Sequence, residues 1–233
     1  MADEWYPGRG VMVGRTADDE ADLLAIWLTG RSEASRGRYL DAGEGDAIAV
    51  RFLPEVGGPE QAVYRLYTAS RTLPSWVVAG NGDHVEPLAE RLQGGAAFAD
   101  ALTEASFEED PPIWTPRIVG ALPRVASPRG RYLLGQAYRR DDGTPGWSTF
   151  AAERLLPGTA LALQTYEGDP VQVRPRVGTP IEVAVDGDAS AMAKQLHAAL
   201  APGMRVATAV LVVRPDGPVE AAVVNEHVPA VEA

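Results

Sequence analysis

Short apolar runs, broken by Gly, Pro and Asp, dominate this chain. Runs of that length between turn residues read as strands, and few stretches carry helical spacing. Gly10–Arg15 and residues 23–29 flank Asp18-Asp19-Glu20 and predict a hairpin. Residues 46–53, 62–68 and 76–79 read as further strands. Helical spacing appears over 85–92 and 96–106, split by Gly94-Gly95. Pro87 falls in the first turn of the former, where its missing N–H is tolerated. Beyond Pro111-Pro112 and Pro116, strands resume at 118–125, 131–138, 147–154 and 160–166, with a turn at Asp141-Asp142-Gly143. The strongest helix signal is 189–200, with Asp188 or Ser190 as cap and Pro202-Gly203 as stop. Residues 206–213 and Val219–Asn225 flank Arg214-Pro215-Asp216-Gly217, a hairpin turn. Many strands with few helices predict a layered α+β architecture, antiparallel sheets with helices outside. No linker interrupts the pattern, so residues 1–233 are expected to form one domain.

Composition narrows the function classes. The 233 residues include no Cys, which excludes disulfides, zinc ribbons, iron–sulfur clusters and thiol catalysis and fits a cytoplasmic protein. No apolar run approaches the roughly 18 residues of a membrane span. Residues 1–10 show neither the basic nor the apolar region of a secretory signal. With 32 Asp+Glu against 21 Lys+Arg the net charge is -11, a poor match for nucleic-acid phosphates. Many antiparallel edges and an acidic surface permit a homo-oligomer. The acids crowd the first half. An anionic ligand there needs a local group of Arg working against the surrounding field.

Four segments are chemically unusual. Tyr6-Pro7-Gly8-Arg9-Gly10 combines glycines that permit close backbone approach with an Arg that either clamps an anion or stays on the surface. Arg31-Ser32-Glu33-Ala34-Ser35-Arg36-Gly37-Arg38 holds three Arg and two Ser after an apolar strand; it reads either as a solvated loop or as a phosphate site. Tyr64, Tyr67 and Arg71 precede Asn81-Gly82-Asp83-His84, which is either a plain turn or a strand end delivering Asn81 and Asp83 to a pocket. Phe107-Glu108-Glu109-Asp110 runs through a Pro-stiffened stretch to Thr115-Pro116-Arg117-Ile118. There Glu108 or Glu109 could act as general acid or base if buried. His84, His197 and His227 lack metal-ligand spacing, and no Gly-x-Ser-x-Gly elbow is present.

Taken in order, these segments resemble the archaeal-type IMP cyclohydrolase family. The matching motifs are Tyr6-Pro7-Gly8-Arg9, Arg31-Ser32 with Arg36, Tyr67 and Arg71 ahead of Asn81-Gly82-Asp83, and Phe107-Glu108 through Thr115-Pro116-Arg117-Ile118. Thr165-Tyr166-Glu167-Gly168-Asp169 and Val224-Asn225 extend the likeness more loosely. Two positions depart from it: Ile113-Trp114 stands where the family commonly has Asn-Tyr, and His84-Val85-Glu86 where it tends to have Thr-Asp.

The resemblance implies an Ntn-hydrolase-like four-layer αββα sandwich without an N-terminal nucleophile. It also implies closure of 5-formamidoimidazole-4-carboxamide ribonucleotide to IMP with loss of water, and no metal or organic cofactor. Under it Tyr67 is the proton donor to the formyl oxygen, Glu108 the carboxylate relay, and Arg31 or Arg71 the cation beside the phenol. Arg9, Arg36 and Arg117 become phosphate candidates. Ser32 joins them in the basic loop, and Asn81, Gly82, Asp83 and Thr115 are placed against ribose or base. Two alternatives stand beside this reading. One is a relative acting on a different imidazole or purine ribonucleotide; the other is a non-catalytic nucleotide-binding protein on the same scaffold.

Overall fold

A computed structural model of the protein describes residues 6–43, 45–54, 56, 66–124, 131–214 and 217–227. The chain opens with β1 (Gly10–Arg15) and β2 (Asp22–Thr29), followed by the short α1 (Glu33–Arg36). Next come β3 (Arg38–Asp41), β4 (Ala47–Phe52), β5 (Thr68–Thr72) and β6 (Trp76–Gly80). Helices α2 (Val85–Gln93) and α3 (Phe98–Leu102) precede β7 (Arg117–Pro123), β8 (Tyr132–Arg139) and β9 (Pro145–Ala152). The remainder holds β10 (Thr159–Gln164), β11 (Tyr166–Glu167), β12 (Arg174–Pro175), β13 (Ile181–Ala184), α4 (Ala189–Ala199), β14 (Arg205–Val213) and β15 (Val219–Asn225).

The strands form a six-stranded sheet in the order β13-β10-β1-β2-β14-β15 and a seven-stranded sheet running from β3 to β9 in sequence order. A two-stranded ribbon pairs β11 with β12. The β1–β2 hairpin has Gly10 opposite Trp27 and Arg15 opposite Asp22. Alternation along its strands explains the layering. Val11, Val13, Leu24, Ile26 and Leu28 pack with Val77, Ala79, Ile118 and Leu134 of the larger sheet. Met12, Leu23 and Ala25 take the reverse face, against Met192 and Ala193 of α4. On the far side of the larger sheet, Val78, Val119 and Leu133 meet Leu88 and Leu92 of α2 and Phe98 and Leu102 of α3. Strands buried on both faces read as continuous apolar runs, which is why the sequence shows runs here. The protein is thus mixed α+β, antiparallel sheets with few helices, as the strand-rich pattern predicts.

Local chemistry accounts for the edges of the elements. The Asp188 side chain accepts from Ala191 N and starts α4, as expected of a cap. Asn225 joins the open edges of the two sheets: its Nδ2 donates to Leu40 O at 3.0 Å and its Oδ1 accepts from Leu40 N at 2.8 Å. At the start of β2, buried Asp22 accepts from Arg15 Nη1 at 3.0 Å, Tyr132 Oη at 2.6 Å and Arg131 Nε at 2.5 Å. That carboxylate ties the two sheets together at this end. Burial, and then Asp22 itself, push the Tyr132 phenol well above its ordinary pKa.

The structure also differs from the sequence pattern. The helix expected over 96–106 is confined to Phe98–Leu102, because the chain must turn off the sheet towards residue 107. Strands β3 and β13 lie at sheet edges, are four residues long, and lack the apolar run that marks a central strand. Of the strand expected over 62–68, residues 62–65 lie outside the described residues, as does Tyr64. The observed β5 begins at Thr68, so Tyr67 stands immediately ahead of it. Pro215 and Asp216 of the expected 214–217 turn also lie outside the described residues, while the flanking β14 and β15 pair with Val213 opposite Val219. Among the described residues no helix is long and apolar enough to cross a membrane.

Candidate functional site

At the end of the sheets away from Asp22, several strand termini converge. Gly10 pairs with both Trp27 and Gln164, and Gly80 at the end of β6 pairs with Val119. The segment before β1 is fastened there: Arg9 N donates to Thr165 Oγ1 at 3.0 Å, and Thr29 Oγ1 donates to Gly8 O at 2.8 Å. The stretch 107–116 closes on itself, since Glu108 N donates to Thr115 O at 2.8 Å and Thr115 N to Asp110 Oδ1 at 2.7 Å. Trp114 turns this loop with φ 56°. Its ring is covered by the Arg139 guanidinium at 4.9 Å and meets Phe107 edge-on. The loop thereby presents Glu108 inwards while Glu109 stays exposed.

A cavity of about 460 Å³ opens between these segments, with Arg9, Arg31, Ser32, Ser35, Arg38 and Glu108 on its walls. Glu108 Oε1 lies 2.6 Å from Arg9 Nη1 and 2.8 Å from Arg117 Nη1. Arg117 Nη2 in turn lies 2.7 Å from Asp83 Oδ1. Arg9, Arg117 and Glu108 are all under 9% exposed, so this is a buried charge chain with little solvent screening. Burial opposes the charge on Arg9. Glu108, followed by the nearby Tyr67, outweighs that and raises the Arg9 pKa well above its ordinary value. The Tyr67 hydroxyl is buried and has no hydrogen-bond partner among the described residues. A phenol in that state, close enough to raise the Arg9 pKa though not itself on the cavity wall, holds an unspent donor.

The other expected residues fall into distinct places. Gly82 lets Arg117 lie on the backbone, because a Cβ there would meet Nη1 at 1.7 Å. Ser32 caps α1, accepting from Ser35 N at 3.2 Å, and Arg36 Nη1 donates to Arg31 O at 2.9 Å. Both shape the basic loop. Arg31 is exposed, donates to Pro170 O at 3.1 Å and lies over the Tyr6 ring. Asn81 is fully buried, with Nδ2 on Pro116 O at 2.8 Å and Oδ1 on Ile118 N at 2.7 Å, so it pins β6 to β7. Its carbonyl accepts from Arg9 Nη1 at 2.9 Å, which connects it indirectly to the charge chain. The Thr115 hydroxyl is shared between Asp110 and the Tyr166 hydroxyl. Arg71 pairs with Glu86 at 3.2 Å and is not on the cavity wall.

Among the wall residues with no individual role assigned from the sequence are Arg38 and Tyr166. Arg38, buried, donates from Nε to Ser35 O at 2.9 Å. It shares the inward face of β3 with Leu40, and that two-residue spacing was the available signal. Tyr166 stacks on Tyr6 with ring centroids 5.8 Å apart. Burial leads the rise of its pKa. Among the described residues no group of three or more His, Asp or Glu is arranged to hold a metal ion.

The model of the family described as IMP cyclohydrolase-like protein matches residues 6–217. An IMP cyclohydrolase of Halobacterium salinarum is 43% identical over 76 residues, covering 31% of this chain and 37% of that protein. An IMP cyclohydrolase of Methanocella arvoryzae is 30% identical over 126 residues, covering 51% of this chain and 58% of that protein. One from Haloarcula marismortui is 31% identical over 112 residues, covering 46% and 53%. The matched stretch therefore spans less than two thirds of each of these relatives. With the family match running from the Tyr6 segment through β14 and every cavity-wall segment inside it, the chain belongs to the IMP cyclohydrolase-like protein family.

Proposed function

We propose that this protein closes the six-membered ring of a purine ribonucleotide, converting 5-formamidoimidazole-4-carboxamide ribonucleotide to IMP and water. The observation that carries the proposal is the buried Arg9–Glu108–Arg117 chain with the unpartnered Tyr67 hydroxyl beside Arg9. The carboxamide nitrogen is a poor nucleophile, so the cavity must hold it against the formyl carbon of the same molecule. As the new C–N bond forms, negative charge develops on the formyl oxygen. Tyr67 protonates that oxygen to a hydroxyl, and Glu108 accepts the proton released by the carboxamide nitrogen. The hydroxyl leaves as water with that second proton, the one Glu108 has taken, and the formamido N–H proton returns to the Tyr67 phenolate as the ring C=N bond forms. Arg9, close to Tyr67 and paired with Glu108, stabilises the charge passing between them. In this assignment Arg9 occupies the place beside the phenol that sequence alone gave to Arg31 or Arg71.

Arg9 and Arg117 are committed to Glu108, which favours a different holder for the 5′-phosphate. Arg31 and Arg38 with the hydroxyls of Ser32 and Ser35 form the basic wall of the same cavity. Asp83 and Gly82 act through Arg117, and Asn81 and Thr115 support the backbone that carries Arg117 and Glu108. The layer order of helix, sheet, sheet and helix supports an Ntn-hydrolase-like αββα sandwich in a single domain. A biosynthetic role of this kind suits the cytoplasm. The test is incubation of the protein with the formamido ribonucleotide while the ultraviolet spectrum is followed. Conversion to the spectrum of IMP is expected. Binding without spectral change supports a non-catalytic nucleotide-binding protein and removes the ring-closing reading.

A further inference from the structure

A second cavity, of about 650 Å³, lies on the other side of Arg117 at the start of α2. Its polar wall includes Asp83, Glu104, Ser106, Glu109, Arg117 and His84; Leu88, Ala105 and Phe107 contribute to the apolar part. Three carboxylates face one guanidinium, and that guanidinium is already paired with Glu108 and Asp83. Glu104 shares its charge with Arg91. Glu109 and Asp83 are exposed at the cavity wall. The wall therefore carries net negative charge on the side of Glu109, which favours a cation over an anion there, while beside His84 Arg117 and Arg9 act in the opposite sense.

His84 adds a specific demand. It is 7% exposed, and its Nε2 lies 3.1 Å from Ile118 O, a carbonyl that can only accept. The ring proton consequently sits on Nε2, and Nδ1 keeps a lone pair. Burial first, then Arg117, pull the His84 pKa down to about 3, so the ring is neutral at physiological pH. Nδ1 is buried with no hydrogen-bond partner among the described residues. A buried acceptor without a donor is costly, and a ligand N–H would relieve that cost.

We infer that this cavity is a second ligand site, for an organic cation whose N–H donors sit on a compact apolar body. Amidinium and primary ammonium groups on a ring or short hydrocarbon have that chemistry. The donors meet His84 Nδ1 and the carboxylates of Asp83 and Glu109, and the body rests on Leu88, Ala105 and Phe107.

Titration calorimetry of the full chain with benzamidinium, and with benzoate as its anionic counterpart, tests the assignment. Benzamidinium is expected to bind with one-to-one stoichiometry, at least tenfold more tightly than benzoate, with or without saturating IMP. Glu109→Gln and His84→Phe are each expected to weaken it fivefold or more. Glu109 is exposed, so its variant reports even if the His84 variant fails to fold. Equal affinity for benzoate, unchanged binding in the Glu109→Gln protein, or displacement of benzamidinium by IMP overturns the site. Ring closure plays no part in this readout, so loss of the cyclohydrolase reading would leave the result standing, and the reverse also holds.

Discussion

Replacing Tyr67 by Phe is expected to lower kcat for ring closure by about 10²–10³-fold while KM changes little. In the proposed reaction the phenol acts on an oxygen whose charge appears only as the new C–N bond forms, so its loss is expected to affect the transition state and not the bound ground state. Stability should move the other way, or not at all. The Tyr67 hydroxyl is buried without a partner among the described residues, and removing such a group relieves a desolvation cost of about 1–3 kcal/mol. A thermal melt of Tyr67→Phe at or above the wild-type Tm, together with the kinetic loss, separates a reacting group from a structural one. Near-normal turnover in that variant would remove Tyr67 from the mechanism.

The second large effect belongs to Glu108. Its Oε1 is shared by Arg9 and Arg117, both of which are buried. Glu108→Gln keeps the shape and removes the charge, leaving two guanidinium groups facing each other out of solvent. Breaking a buried pair in this way destabilises a protein by about 3–5 kcal/mol. The same change should abolish measurable ring closure, because the proton acceptor is gone. Adding Arg117→Met to Glu108→Gln removes one of the stranded charges. Chemical denaturation should show part of the stability restored in the double variant, with activity still absent. A fully additive loss would mean that Arg117 and Glu108 are not energetically coupled.

The fold was legible in the sequence wherever burial is two-sided. β1, β2, β7 and β14 pack both faces, and their apolar runs announce them. β3 and β13 escaped notice because an edge strand of four residues, with part of its length in solvent, has no such run. Of the candidate site residues named from the sequence, Arg9, Arg31, Ser32 and Glu108 line the cavity, but their contacts were not legible. Arg9 and Arg117 are separated by over a hundred positions in the chain, and nothing in either neighbourhood says that both reach Glu108. Asn81 shows the converse limit. An Asn next to Gly is suited both to holding a ligand and to bonding backbone, and only the register of β6 against β7 reveals that its amide is spent on Pro116 and Ile118. Arg38 needed the strand before its side could be assigned, since its two-residue spacing from Leu40 has meaning only if β3 exists.

A crystal structure of the protein with IMP bound tests the central claim most directly. The account predicts the 5′-phosphate against Arg31, Ser32, Ser35 and Arg38, and the purine ring between the Tyr67 hydroxyl and Glu108, each within hydrogen-bonding or one-water distance of the newly closed edge. A nucleotide seated elsewhere, or one whose ring lies beyond reach of both Tyr67 and Glu108, would contradict it.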